Sequence, residues 1–269
     1  MDEGHKTWKL ILERTGYFSD RQMDESRTFD RSLYPGAYKS YQQAVKRIPL
    51  DKIDFFSYDA PIGRILNERR SLRNFIDQPL SFKELSFLLW ASQGITANME
   101  GYQLRTAPSA GALYPVETYL VVKNVESLSS GLYHYEAQES LLELLKEGDF
   151  VDKLYRASLG QEMIRYSAVT FCYSSIIQRS SCKYYERAVR YIMMDSAHIC
   201  ENTLLGCVAL ERVGGVAIGA FYDDLMAKLF DLDMYIEPIV LMAAVGKISG
   251  TGWKEDRRTY IERIRAKAG

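Results

Sequence analysis

The chain has 269 residues, 47% of them hydrophobic and 26% charged, with 34 basic against 35 acidic side chains for a net charge of −1. That length suits one domain, or one domain and an arm, with a sizeable core. Near-neutrality removes the electrostatic case for nucleic acid or an anionic membrane as partner, so any local basic cluster must serve something small.

The opening MDEGHKTWKL is charged and lacks an apolar h-region, and no apolar run reaches membrane length. No signal peptide and no span are predicted. A cytoplasmic protein with reduced thiols is expected. Cys172, Cys182, Cys200 and Cys207 form no C-x-x-C pair, and His5, His134 and His198 are scattered, so no metal site is predicted.

Residues 1–60 are polar and broken, with Tyr34-Pro35-Gly36 as a turn. Trp8, Tyr17, Phe18, Phe29, Tyr34, Tyr38, Tyr41, Phe55 and Phe56 are too many aromatics for a solvated tail. An ordered arm, packed on the core or on a partner subunit, is expected. Ile62–Arg69 reads as a helix. Ser81-x-x-Glu84 is a capping box, followed by Leu85, Leu88 and Leu89 at helical spacing and Gly94 as a C-terminal cap.

Arg105–Val122 changes character midway. Pro108, Ser109, Ala110, Gly111 and Ala112 make a small-residue loop that lets a ligand approach bare backbone amides. Pro115 then stops any helix, and Glu117–Val122 reads as a buried strand. By residue types alone this loop is also a plain tight turn. Gly131–Tyr135 and Ala168–Tyr173 read as further strands, with a helix over Asp149–Leu159 between them. A long helix is predicted from Tyr184 to about Arg212, apolar on most sides and ended by Gly214-Gly215. On it, His198 and Asn202 are expected to form a satisfied polar pair in the core. Val216–Ile218 reads as extended, Asp223–Phe230 as a helix and Pro238–Val245 as a buried strand. Ser249–Gly269 is a polar tail in which Asp256–Ala268 has the pattern of a basic helix. Strict βαβ alternation is missing, as are G-x-G-x-x-G, P-loop and G-x-S-x-G motifs and any internal repeat.

Arg69, Arg70, Ser71 and Arg73 set three guanidiniums and a hydroxyl within five residues. Such forks match phosphate oxygens, although a solvated helix end would have the same composition. Gly246-Lys247 closes the last strand, where Lys247 either reaches the phosphate or snorkels at the surface. Arg257 and Arg258 are weaker candidates of the same kind.

The sequence PSAGALYPVE resembles the hallmark loop of the nitroreductase-like flavoprotein superfamily, in its SagB/ThcOx-type dehydrogenase branch. The R-R-S-x-R block and Lys183-Tyr184-Tyr185-Glu186-Arg187 match the same family in the same order, and the likeness covers roughly residues 60–247. It implies an α+β nitroreductase-like fold, with an antiparallel-dominated sheet flanked by helices and the long helix at its centre. It also implies an intertwined homodimer with FMN at the interface. Pro108, Ser109, Ala110, Gly111, Ala112 and Leu113 would lie against the isoalloxazine. Arg69, Arg70, Ser71 and Arg73 would hold the phosphate and ribityl chain. Ile218, Gly219 and Ala220 would pass the pyrimidine and N5 edge, where backbone N–H groups stabilise charge on the reduced ring.

In that branch a K-Y-x-E-R block opens the long helix, and its lysine and tyrosine are the catalytic pair, roles that carry over to Lys183 and Tyr184. An ammonium beside a phenol lowers the phenol's pKa, and desolvation lowers the lysine's. Where Tyr185 stands the family usually has glycine. The implied division of the chain is an arm (1–60), an FMN-binding domain (61–250) and a basic tail (251–269). The implied activity is FMN-dependent hydride transfer, in this branch azoline-to-azole oxidation of a modified peptide. An NAD(P)H-dependent nitro or quinone reductase and a non-catalytic flavin-binding module are the alternatives.

Overall fold

The computed structural model describes residues 3–17, 29, 31–54 and 58–249; the C-terminal tail, with Arg257 and Arg258, and the aromatics Phe18, Phe55 and Phe56 lie outside them. The fold is α+β. Strands β1 (Lys46–Pro49), β4 (Val116–Val122), β5 (Gly131–Glu136), β6 (Leu141–Glu147), β7 (Val169–Ser175), β8 (Val213–Ile218) and β9 (Ile239–Lys247) form one sheet, in the order β1-β6-β5-β4-β7-β9-β8. Every pairing in it is antiparallel. β2 (Ile95–Met99) and β3 (Tyr102–Arg105) make a separate hairpin.

The two-residue period of β4 divides the core. Val116, Leu120 and Val122 face one layer with α3 (Phe82–Gln93) and α7 (Ala188–Ala209), where Leu85, Leu88, Leu89, Ile199 and Leu204 are buried. Tyr119 and Val121 face the other layer, with α4 (Val151–Ala157), α5 (Met163–Tyr166) and α8 (Asp223–Phe230). The sheet is thus sandwiched by helices as expected, with the long helix packed into the core between one face of the sheet and α3.

α3 opens on the expected capping box, Ser81 and Glu84 each bonding the other's backbone N–H. Gly94 follows it in extended conformation (φ −62°, ψ 148°), not as a left-handed cap. Space explains the glycine: a Cβ there would sit 2.1 Å from Trp90 Cδ1.

Three further expectations are corrected. The long helix does not begin at Tyr184. α6 (Ile177–Tyr184) ends there, Tyr185 takes φ 51°, ψ −132°, a short 3-10 turn covers Tyr185–Arg187, and α7 starts at Ala188. Gly214 and Gly215 do not stop a helix but lie inside β8. A Cβ on Gly214 would come within 2.8 Å of Ile248 Cγ2 and 3.0 Å of Leu72 Cδ1, and one on Gly215 within 2.9 Å of Leu204 Cδ2. His198 is exposed on the single chain, so the expected buried pair with Asn202 does not form. Val189, Met193 and Met194 on α7 are exposed as well.

The described part of the arm is tied to this core. α1 (Glu3–Thr15) ends against α7: the Thr15 carbonyl accepts from Arg187 Nη1 (2.9 Å), and its hydroxyl bonds Arg190 Nε (2.6 Å). Further on, Tyr34 Oη donates to the Leu113 carbonyl (2.9 Å).

Candidate active site

The small-residue loop is a single strained turn. Gly111 (φ 65°), Ala112 (φ 53°) and Tyr114 (φ 45°) all lie in the left-handed region, which glycine tolerates and the other two do not favour. Tertiary bonds hold it there. Ser109 Oγ donates to Asp195 Oδ2 on α7 (2.7 Å) and accepts from Tyr114 N (2.9 Å), while Ala110 N reaches Asp195 Oδ1 at 3.4 Å. Ala112 N and Leu113 N close the turn onto Ser109 O and Ala110 O. The amides expected to be bare at Ala110, Ala112 and Leu113 are therefore engaged, and Leu113 is itself buried. Pro108 and Gly111 stay exposed at the tip.

Lys183 and Tyr184 come to this tip because α6 ends abruptly. A Cβ built on Gly111 would lie 2.6 Å from Tyr184 Oη and 2.9 Å from Lys183 Nζ. The φ of 65° favours glycine at 111, and the hallmark loop and the lysine–tyrosine pair form one cluster within one chain. Lys183 Nζ stands 5.3 Å from the centre of the Tyr184 ring and 5.6 Å from that of Phe29. Burial raises the Tyr184 phenol above its ordinary value, with Tyr191 and Asp195 adding to the effect. This corrects the expectation of a lowered phenol: Tyr184 holds its proton at neutral pH. Asp195 is also pushed up by burial, against the opposing bonds from Ser109 and Ala110.

Beneath the loop runs a buried polar chain that the sequence reading missed. Arg179, 1% exposed, donates to the Tyr114 carbonyl (3.0 Å) and pairs with Glu117 (2.5 Å). Glu117 bonds His134 Nε2 (2.9 Å), and His134 Nδ1 bonds Glu143 (2.9 Å). Glu143 also takes Arg47 Nη2 at 2.9 Å and bonds from Ser40 and Tyr41 N of the arm. Glu237 similarly gathers Tyr119 (2.8 Å), Ser174 (2.8 Å) and Lys39 (2.6 Å). Against its own burial, Arg179 and His134 lower Glu117 to about 2. Against its burial, the two glutamates raise His134 above its ordinary value. The available signal was a titratable residue set between apolar ones in each strand: Glu117 in VETYLVV, His134 in GLYHYE, Glu143 in LLELLKE.

The arginine block lies elsewhere, on the outer edge of β8. Leu72 N donates to Gly215 O (3.0 Å), and Ser71 bridges Gly215 in parallel, so Arg73 runs forward alongside the strand toward Ile218-Gly219-Ala220. Two of the predicted blocks are thus brought to one edge. Arg73 and Arg70 are exposed and donate to main-chain carbonyls of their own segment, Arg73 to Ser71 O (3.4 Å), Arg70 to Arg69 O (2.7 Å). Arg69 Nε lies 3.3 Å from Glu201. Ile218 is buried, Gly219 faces open space, and the Ala220 carbonyl accepts from Gln161 (2.9 Å). Lys247 is drawn to Glu84 Oε1 (2.5 Å), the carboxyl of the α3 capping box, rather than to the arginines. One chain therefore presents two separate clusters: a loop with Lys183 and Tyr184 at its tip, and an edge of exposed guanidiniums beside an open glycine.

Residues 66–247 match the family model described as the nitroreductase family. The chain belongs to the nitroreductase family. Its relatives in that family include the predicted nitroreductase MJ1384 of Methanocaldococcus jannaschii, 32% identical over 184 residues, covering 68% of this chain and 90% of MJ1384. The microcin B17-processing protein McbC of Escherichia coli is 28% identical over 62% of this chain, which spans 63% of McbC. That match supports the SagB-type branch within the family. Among solved structures, a predicted nitroreductase from Anabaena variabilis superposes with TM-score 0.71 at 26% identity, over 89% of this chain and 46% of that one. A chain of the E. coli microcin synthetase McbBCD complex, with truncated pro-MccB17 bound, superposes with TM-score 0.60 at 20% identity over 93% and 95% of the two chains, a likeness of fold. Membership makes this nitroreductase relative an FMN-dependent oxidoreductase. Among the described residues no helix is long and apolar enough to cross a membrane, and no group of three or more His, Cys, Asp or Glu is placed to hold a metal.

Proposed function

We propose that two copies of this chain join their complementary half-sites around one FMN, and that the assembled site oxidises a planar ring in a modified peptide. The observation that carries this reading is the contact of Gly111 with Tyr184 Oη and Lys183 Nζ, which puts acid–base groups on the loop that the family places against the flavin. The residues suit the cofactor. Arg69, Ser71 and Arg73 offer guanidinium and hydroxyl donors to a phosphate. Gly219 leaves an unfilled approach to the backbone at the end of the same strand. A second copy has a surface to cover, since Val189, Met193 and Met194 on α7 and Ile62 and Leu66 on α2 (Ile62–Glu68) are large, apolar and exposed on one chain.

When bound, FMN supplies a two-electron acceptor that takes a hydride at N5. The chain's own residues manage the proton. Oxidising an azoline ring removes one hydride and one proton from adjacent ring atoms. Tyr184, held protonated by burial, donates a hydrogen bond to the ring heteroatom or its carbonyl neighbour. Lys183 stands beside it at the loop tip and relays the proton that the ring gives up. The McbC match favours this ring oxidation over NAD(P)H-driven reduction of nitro compounds or quinones.

Two measurements test the reading. The purified protein should be yellow and release a chromophore with the mass of FMN, one per chain. Replacing Lys183 with Ala and Tyr184 with Phe should keep that colour and abolish oxidation of a thiazoline-bearing peptide. An unchanged chain that leaves the thiazoline peptide unoxidised, with NADPH-driven menadione reduction intact in the double variant, would favour the reductase alternative.

A further inference from the structure

The arm, the β2–β3 hairpin and the hallmark loop enclose a cavity of about 910 Å³, near the top of the ~300–1,000 Å³ typical of small-molecule sites. Its walls include Phe29, Arg31, Tyr34, Tyr38, Tyr102 and Gln103, and its floor is Gly111 to Tyr114. The walls are fixed to one another across long sequence separations. Tyr34 Oη bonds the Leu113 carbonyl, and Tyr38 Oη donates to Gln103 Oε1, whose amide donates to Asn98 (2.6 Å). The Arg105 guanidinium lies between the rings of Tyr38 (4.9 Å) and Tyr114 (4.5 Å) and bonds the Ala37 carbonyl (2.8 Å). Such mutual bracing would be wasted on a surface crevice. It holds open a space lined by aromatic rings and by the amides of Asn98 and Gln103.

Two features give this space a chemical preference. Ring faces favour planar, polarisable groups. Among the described residues that line it, Arg31 is the one with a formal charge, and no carboxylate joins it. The far end reaches the reacting groups. Gly111 abuts Tyr184 and Lys183, and the Phe29 ring faces Lys183 Nζ.

We infer that this cavity is a substrate subsite, selective for planar rings bearing an anionic group, with Arg31 as the charge-selecting residue and Tyr34, Tyr38 and Tyr102 as the stacking walls. The inference rests on placing Lys183 and Tyr184 at the reaction centre. It adds that the arm and the hairpin, neither of which carries the family motifs, decide which substrate arrives.

The test uses the purified full-length chain and three probes with one ring: 4-nitrobenzoate, 4-nitrobenzyl alcohol and 4-nitrobenzylamine. Dissociation constants are measured by equilibrium dialysis, independently of turnover. The expected order is anion tighter than neutral, neutral tighter than cation. Arg31→Gln should weaken the benzoate by about fivefold and leave the alcohol unchanged. Tyr102→Ala, at a half-exposed position, should weaken all three by about fivefold. Equal binding of the three probes, an unchanged benzoate-to-alcohol ratio in Arg31→Gln, or a loss of flavin in Arg31→Gln would overturn the inference. If the protein binds no flavin but keeps the probe order and its Arg31 dependence, the subsite stands and the flavin reading falls. If flavin is bound and the probe order is missing, the subsite falls alone.

Discussion

The loop side and the arginine side of this chain solve opposite problems. Around Gly111 the backbone is held: Asp195, Arg179 and Tyr34 bond the turn from three directions, and a buried ion chain extends below it to the arm. Along β8, Arg70 and Arg73 stand exposed and, among the described residues, bond short-range carbonyls of their own segment, while a Cβ on Gly219 would meet nothing within 4 Å. One side is organised by its own fold before any ligand arrives. The other is a set of exposed donors with little such bracing. The difference teaches where stability and affinity should separate: changes on the loop side should cost folding or chemistry, and changes on the arginine side should cost affinity alone.

The largest expected effect is on the loop side. Arg179→Leu leaves Glu117 short of a partner in a fully buried position and should cost about 3–5 kcal/mol in urea unfolding. The same network sets a pH profile. Glu117, lowered from its ordinary 4.5 to about 2, contributes stability that is present above 4.5 and lost as pH falls toward 2. His134, raised from its ordinary 6.5, contributes stability that is complete below 6.5 and lost as pH rises through its folded value. A plot of Tm against pH should therefore fall on both flanks, and His134→Gln should remove the alkaline fall.

Next in size is Gly111→Ala. Its methyl would press on Tyr184 Oη from a φ of 65°, so turnover should drop about 100-fold, against a stability cost of only about 1 kcal/mol. On the arginine side, Arg73→Ala should weaken FMN binding about tenfold and leave apo-protein unfolding within about 0.5 kcal/mol. A large stability loss there would erase the contrast. The smallest effect is Tyr185→Gly. Tyr185 holds a backbone conformation (φ 51°, ψ −132°) suited to glycine, and the substitution should stabilise the fold by about 1 kcal/mol in the same urea experiment.

The parts of the structure legible in the sequence were those with a dense local signal. The apolar runs of Val116–Val122 and Val169–Ser175 and the Ser81–Glu84 box identify two central strands and α3 without tertiary context. Hidden features depended on distant partners. The hairpin Ile95–Arg105 is polar and half-exposed, so no period betrays it. The break at Tyr185 has neither glycine nor proline to announce it. Gly214-Gly215 read as a stop signal because a pair of glycines has no way to advertise that Leu72, Ile248 and Leu204 need its room. For the site, residue types suggested the two clusters, and family resemblance was needed to say what they hold. Asp195 escaped notice because an acid within a helix looks like solvent-facing charge, and the loop bonded to it lies 85 residues earlier in the chain.

The account's central claim is that one flavin needs the loop of one copy and the arginine edge of another. Co-expressing an Arg69→Ala/Arg73→Ala chain with a Gly111→Asp chain tests it most directly, because a mixed dimer regenerates one intact pair of half-sites. The account predicts that each variant alone is nearly colourless and that the co-purified mixed dimer binds one FMN per two chains. A mixed dimer as colourless as its parents would contradict it.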